Sequence, residues 1–146
     1  MNNKHNIPAF VSVIAMVLGF YDLLRGFMHT VMLNYSADHI AGLALNTPQS
    51  VDLLRLLGSF GVSNYITGIM LILLAWRYRP LALTMLGLIP AAYGFGYITI
   101  QFNLQAYGPS TAKWGGFDYM LVDLSICVLT FIAGVAVMVY RNMNAR

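Results

Sequence analysis

The sequence predicts an all-α polytopic membrane protein, with four transmembrane helices in an antiparallel bundle and both termini in the cytoplasm. Hydrophobic residues make up 59% of the 146 residues, and charged residues only 9%, against roughly 25% in an average soluble domain. The apolar residues also gather into long runs, and about 20 of them in a row are enough to cross a bilayer as a helix. A soluble fold could not bury this much apolar surface, so the bilayer is expected to be the solvent.

Four apolar segments define the predicted spans, which together form a single domain. Their approximate bounds are 8–33, 48–76, 81–102 and 118–140. The first is too long and too charged to be a signal peptide. Thr47 and Pro48 are expected to start the second span as N-cap and first helical residue, and Pro90 predicts a kink within the third.

The basic residues that flank the spans predict the orientation. Those expected on the cytoplasmic side are Lys4, Arg77, Arg79, Arg141 and Arg146. Only Lys113 lies in the two opposite loops, 34–47 and 103–117, where Ser36 is placed to cap a short interfacial helix. Because cytoplasmic segments carry the excess of Lys and Arg, both termini are expected inside. The basic residues form no run, so the net charge of +3 does not indicate nucleic-acid binding.

The first span carries three ionisable residues, Asp22, Arg25 and His29, within an otherwise apolar run. At 100° per residue they fall within an arc of about 60° on one helix face. Charges at membrane depth are costly, so they usually face a bundle interior and pair there. We therefore expect this face to point into the bundle.

The other spans carry polar faces at a matching depth. These faces comprise Asp52 and Arg55 in the second span, Tyr93, Tyr97 and Gln101 in the third, and Tyr119, Asp123, Cys127, Thr130 and Gly134 in the fourth. All four predicted helices thus place polar side chains mainly in their outer halves. This agreement predicts a chamber in the outer half of the bundle, with Asp22, Arg25 and His29 as one wall.

Small residues of the second span predict close helix packing. Gly58, Gly61 and Gly68 cluster on one face, and small residues let membrane helices approach closely. A neighbouring face carries Ser59 and Thr67, whose hydroxyls are expected to hydrogen-bond across the interface. Packing alone can account for the Gly and Ser positions, but it explains Arg55 and Asn64 less easily.

The residue types in the predicted chamber suit acid–base work on an amphiphilic molecule. An Asp–His pair can transfer a proton while an Arg holds an anion or a carbonyl. The catalytic candidates are Asp22, His29 and Asp123. The binding candidates are Arg25, Arg55, Asn64, Tyr93, Tyr97 and Gln101. A competing interpretation is that the three Asp residues 22, 52 and 123 merely neutralise the two Arg residues and fix helix register.

Few cofactors fit this inventory. His29 is the only histidine within a predicted span, which disfavours a bis-histidine haem, and the sequence has no metal-ligand spacing motif. The single cysteine, Cys127, excludes an intrachain disulfide. A quinone or a lipid headgroup could use the same polar groups, so we expect a lipophilic small molecule as ligand.

Two other functions remain open at this stage. The chain can be a non-catalytic accessory or assembly subunit, paired with a partner membrane protein, or an oligomeric transporter or channel. The tetrapeptide Asp22-Leu-Leu-Arg25 recurs at Asp52-Leu-Leu-Arg55. The two copies would lie on helices of opposite direction, so we interpret the repeat as coincidence.

The sequence resembles the small bacterial DoxX-like membrane proteins. The resemblance rests on four short spans, on Arg55 near the start of the second, and on Gly58, Gly61 and Gly68 before an apolar run. It implies a four-helix bundle in the bacterial inner membrane, in some cases tied to quinone-linked or sulfur redox systems. No catalytic motif of that group maps onto this sequence residue by residue.

Overall fold

A computed structural model describes residues 7–105 and 115–144, and within those ranges the chain is helical with no strands. The helices are α1 (Ala9–Thr30), α2 (Leu33–Tyr35), α3 (Ser50–Arg77), α4 (Arg79–Leu104) and α5 (Phe117–Asn144). One π-helical turn, Ser36–Ile40, continues α2. Four of these helices, α1, α3, α4 and α5, are long and apolar enough to cross a membrane. The four predicted spans are therefore confirmed as helices.

The helix ends differ from the predicted ones by a few residues. Thr47 is not an N-cap: its carbonyl accepts a hydrogen bond from the Ser50 N–H at 3.0 Å, so the residues between them form a turn and α3 begins at Ser50. The first helix ends earlier than predicted, at Thr30. Pro90 lies inside α4, which continues past it.

Some of the residues that predict orientation lie outside the described ranges, namely Lys4, Lys113 and Arg146. Arg77 and Arg79 flank the junction of α3 and α4, and Arg141 lies in the last turn of α5. In an up-and-down bundle these three residues share one end, which we call the terminal end. The opposite end carries the connections after α1 and after α4 and is called the loop end.

Helix α1 is the central element of the bundle, since it packs along α3 and also contacts α4 and α5. It is also the most buried of the four long helices. The buried apolar core lies towards the terminal end. It consists of Ile7, Val11, Ala15, Leu18, Leu71, Ala75, Ala82, Leu83, Leu86 and Cys127. Among the residues that the structure describes, the Cys127 thiol is the only titratable group in this cluster.

Glycines hold α1 and α3 together in an antiparallel contact. A Cβ atom added to Gly68 would lie 2.6 Å from the Gly19 carbonyl oxygen, and one added to Gly61 would lie 2.7 Å from Thr30 Cγ2. The predicted close approach at these two glycines is confirmed. Gly58 lies off the interface, because its added Cβ would meet nothing nearer than the His29 carbonyl oxygen at 3.9 Å.

Most hydroxyl groups of the long helices bond to their own helix. Ser59 donates to the Arg55 carbonyl and Thr67 to the Ser63 carbonyl, each at 3.0 Å. The same bond, from residue i to the carbonyl of residue i−4, recurs at Thr84, Thr99, Ser125 and Thr130. The expected hydrogen bonds from Ser59 and Thr67 to a neighbouring helix are therefore wrong. A hydroxyl can satisfy its donor on the backbone without any partner helix.

The glycine contact predicts different outcomes for two substitutions in the same helix. Gly68→Ala should destabilise the fold by about 1–3 kcal/mol, the usual range for overpacking, because its Cβ would overlap the α1 backbone. Gly58→Ala should be neutral or stabilising, since alanine is the better helix former by up to ~1 kcal/mol. Thermal unfolding in detergent micelles measures both. Equal midpoints for the two variants would contradict the close contact.

Candidate functional site

Arg25 forms ion pairs with two carboxylates on different helices. Its Nη1 atom lies 3.4 Å from Oδ1 of Asp22, one turn earlier on α1, and 3.5 Å from Oδ2 of Asp123 on α5. The Asp22 and Asp123 side chains are 10% and 12% exposed. The predicted pairing of these charges within the bundle is confirmed, and it links the central helix to α5.

The surroundings of Arg25 also include two tyrosines. The Tyr21 ring lies beside the guanidinium, with its centroid 5.7 Å from Cζ, a distance at which a cation is attracted to a ring face. Tyr93 on α4 is close enough to interact with Arg25 as well. Side chains of α1, α4 and α5 thus converge on one guanidinium. Because two carboxylates face this one cation, its positive charge is neutralised, and the carboxylates outnumber the cation in this cluster.

A cavity of about 620 Å³ lies beside this cluster, at the loop end of the bundle. Its walls come from α1, α3, α4 and α5, and include Leu24, Met28, Leu57, Phe60 and Met120. Polar side chains also line it. They are Tyr21, Arg25, His29, His39, Asn64, Tyr93 and Tyr119. A mostly apolar cavity with a few convergent polar groups is the usual form of a small-molecule site.

The connection between α1 and α3 covers part of this cavity. Ser36, fully buried, places its hydroxyl 2.7 Å from Nδ1 of His29, so it fixes the imidazole and does not act as the predicted helix cap. Gly42, with φ of 65°, turns the chain after the π-helical turn. The backbone carbonyl of Ile40 then contacts Gly115, and both residues line the cavity.

Asn64 supplies an unsatisfied polar group. This side chain is buried in α3 and lines the cavity. Its amide nitrogen has no hydrogen-bond partner in the part of the chain that the structure describes. A buried donor without a partner costs roughly 1–3 kcal/mol, so an acceptor supplied by a ligand would be favourable here.

The structure brings together most of the sequence-predicted site residues. Arg25, His29, Asn64 and Tyr93 line the cavity. Asp22 and Asp123 do not line it; they pair with Arg25 instead. Asp22 and Asp123 therefore act as positioning residues: they hold Arg25, which faces the cavity.

Three predicted binding residues, Arg55, Tyr97 and Gln101, do not line this cavity. Arg55 is 80% exposed and pairs only loosely with Asp52, at 4.0 Å, because the glycine face of α3 turns towards α1 and carries Arg55 outwards. Tyr97 lies in a separate groove, near the Phe117 ring at a centroid distance of 6.3 Å. Gln101 is exposed, as is almost all of α4 beyond Pro90.

Sequence reasoning missed several residues of the cavity wall. Tyr21 is adjacent to the predicted site residue Asp22, but aromatic residues are common in membrane helices, so its residue type did not indicate a site. His39 lies in a loop and reaches the cavity only because that loop folds back, where its ring stacks on Tyr35 at 4.5 Å. Leu57 and Phe60 are apolar and carried no signal that distinguishes them from lipid-facing residues.

Metal binding is not favoured by the described residues. Within residues 7–105 and 115–144, no group of three or more His, Cys, Asp or Glu side chains could hold a metal ion. Cys127 is buried one turn from Asp123 and forms no disulfide. The site therefore offers hydrogen-bond donors, an imidazole and tyrosine hydroxyls as its chemical groups.

Comparison with protein-family models, with curated proteins and with solved structures finds no match for this chain. The resemblance to DoxX-like proteins therefore stays a prediction from the sequence.

The two ion pairs on Arg25 predict that substituting Arg25, Asp22 or Asp123 will destabilise the fold by different amounts. Arg25→Gln leaves two carboxylates without a cation and should cost about 3–5 kcal/mol, as for other broken buried pairs. Asp22→Asn or Asp123→Asn leaves one matched pair and should cost clearly less. The double variant Arg25→Gln/Asp22→Asn should recover part of the loss. Thermal unfolding in detergent micelles is the measurement.

The matched control is the same tetrapeptide on α3. Arg55→Gln and Asp52→Asn alter a pair of identical spacing with both side chains at least 80% exposed. Exposed pairs contribute little to stability, so neither variant should shift the unfolding midpoint. If Arg25→Gln proves as mild as Arg55→Gln, the ion pairs on Arg25 do not stabilise the bundle.

Proposed function

We propose that this protein binds a lipophilic small molecule with a polar head, quinone-like or lipid-like, in the loop-end cavity, and that the cavity supplies acid–base chemistry to that head. The observation that carries the proposal is the convergence of Arg25, His29 and Asn64 on one mostly apolar cavity of about 620 Å³. Cavities of this size and lining suit small organic ligands.

Each polar side chain has a distinct role in this proposal. Arg25 and Asn64 donate hydrogen bonds to an oxygen atom of the head, and the Asn64 amide nitrogen, which has no partner among the described residues, gains its acceptor there. His29, held by Ser36, exchanges a proton with the head. Asp22 and Asp123 keep Arg25 in place and balance its charge.

We also propose the membrane setting predicted from the sequence. The protein would lie in the bacterial inner membrane with both termini in the cytoplasm, and the cavity would then lie in the outer half of the bilayer. The proposal is supported by Arg77, Arg79 and Arg141, which share the terminal end, and by the resemblance to DoxX-like proteins. The excess of basic residues marks the cytoplasmic side.

A second candidate function is that of an accessory subunit or a homo-oligomer. It is favoured by α4, whose residues 91–105 are exposed almost throughout. A Cβ atom added to Gly94 or Gly96 would meet nothing within 4 Å. A partner helix could pack closely against this segment. A transporter is less well supported, because the core at the terminal end is apolar.

Asn64→Leu separates ligand binding from folding. The substitution removes a buried donor that lacks a partner, so it should leave the thermal stability unchanged or raised. It should also weaken retention of the bound small molecule, because the head loses a hydrogen bond. The measurement is native mass spectrometry of protein purified in mild detergent, compared with the unfolding midpoint of the same sample.

Arg55→Gln is the control. Arg55 lies outside the cavity, so this variant should retain the small molecule in full. His29→Ala should lose it while the protein still accumulates in the membrane. A wild-type protein that carries no small molecule but copurifies with another membrane protein would favour the accessory function. Asn64→Leu protein that is destabilised and fully loaded would give Asn64 a packing role only.

A further inference from the structure

A second cavity of about 600 Å³ lies between α4 and α5 on the outer surface of the bundle. Its lining is apolar and comes from Pro90, Gly94 and Tyr97 on α4 and from Leu121, Leu124 and Val128 on α5. Ser125 also lines it, and its hydroxyl donates to the Leu121 carbonyl at 2.7 Å. We call this cavity the α4–α5 groove.

The α4–α5 groove adjoins the loop-end cavity. Tyr93 on α4 and Met120 on α5 line both of them. These two side chains therefore form the boundary between the two cavities, and a molecule that occupies both would pass between them. Methionine is a flexible side chain that adapts to irregular contacts, which suits a boundary between two parts of one site.

The charges beside the loop-end cavity favour a neutral head over an anionic one. Arg25 is the only cation within 4.0 Å of Asp22 and Asp123 among the described residues, and both carboxylates pair with it. Within residues 7–105 and 115–144, this pairing leaves no net positive charge on the Arg25 cluster to attract a carboxylate or phosphate head. A carbonyl oxygen can still accept hydrogen bonds from Arg25 and Asn64.

We propose that the ligand has a neutral carbonyl head and one apolar tail, with the head beside Arg25 and the tail in the α4–α5 groove. This inference rests on the proposed function, which concerns the loop-end cavity alone. It adds the class of ligand, a single-tailed quinone or ketone, and a second part of the site. The tail passes between Tyr93 and Met120.

Gly94 and Gly96 offer a matched test of the groove. An added Cβ would meet nothing within 4 Å at either position, so both tolerate a larger residue. Gly94 lines the groove and Gly96 does not. Two positions apart on a helix, the residues point in directions about 200° apart. Gly94→Leu should therefore fill the groove, whereas Gly96→Leu should leave it open.

The probe is a benzoquinone that carries a decyl tail with a photoreactive group at its end. It is added to the full chain in phosphatidylcholine nanodiscs, irradiated, and mapped by peptide mass spectrometry. The expected label lies on the α5 residues of the groove and is reduced at least several-fold in Gly94→Leu but retained in Gly96→Leu. Excess tailless benzoquinone should compete it away, because the heads share one site.

Other outcomes separate the two proposals. Label that is competed by the tailless quinone but lies on α3, with equal yields in both glycine variants, would overturn the groove and leave the loop-end site intact. If excess tailless quinone does not decrease the labelling of the groove, any lipid chain can occupy the groove. That result would overturn the inference. Equal competition by decanoate would overturn the neutral head. Absence of any saturable labelling would overturn both the inference and a quinone-like ligand for the loop-end cavity.

Discussion

The close contact between the backbones of α1 and α3 determines where the polar side chains of both helices lie. Gly19 and Gly68 bring the two helices together, and neither can carry a side chain without displacing the other helix. The glycine face of α3 is therefore turned towards α1. As a consequence Asn64 is carried into the bundle and Arg55 out of it. The position of the candidate site follows from where glycine occurs, more than from where charge occurs.

Arg25 performs a different task, since it connects the central helix to α5 through Asp123. The apolar core holds the terminal end of the bundle together, while the loop end has this polar cluster and a cavity beside it. The cavity thus lies where hydrogen-bonding groups are concentrated. Such a division suits a protein in which one end of the bundle maintains the fold and the other end binds a ligand.

Much of the fold could be predicted from the sequence, because the length and apolar character of a span are properties of the segment itself. The inward face of α1 could also be predicted, since Asp22 and Arg25 have few alternatives in hydrocarbon. The faces of α3 and α4 could not. Two faces of α3 carry small or polar residues, and only the contact with α1 selects between them. Tyr97 and Gln101 share a helix face with Tyr93, but Tyr97 lies in the α4–α5 groove and Gln101 is exposed, like almost all of α4 beyond Pro90.

The hydroxyl groups of α3, α4 and α5 have a consequence for membrane insertion. Ser59, Thr84, Thr99 and Ser125 each donate their proton to a carbonyl one turn earlier. Such a group presents little unsatisfied polarity to the lipid, because its donor is occupied before the helix meets hydrocarbon. The free energy of transferring these helices from the translocon to the bilayer should thus be more favourable than a residue-by-residue sum that counts every serine and threonine as polar.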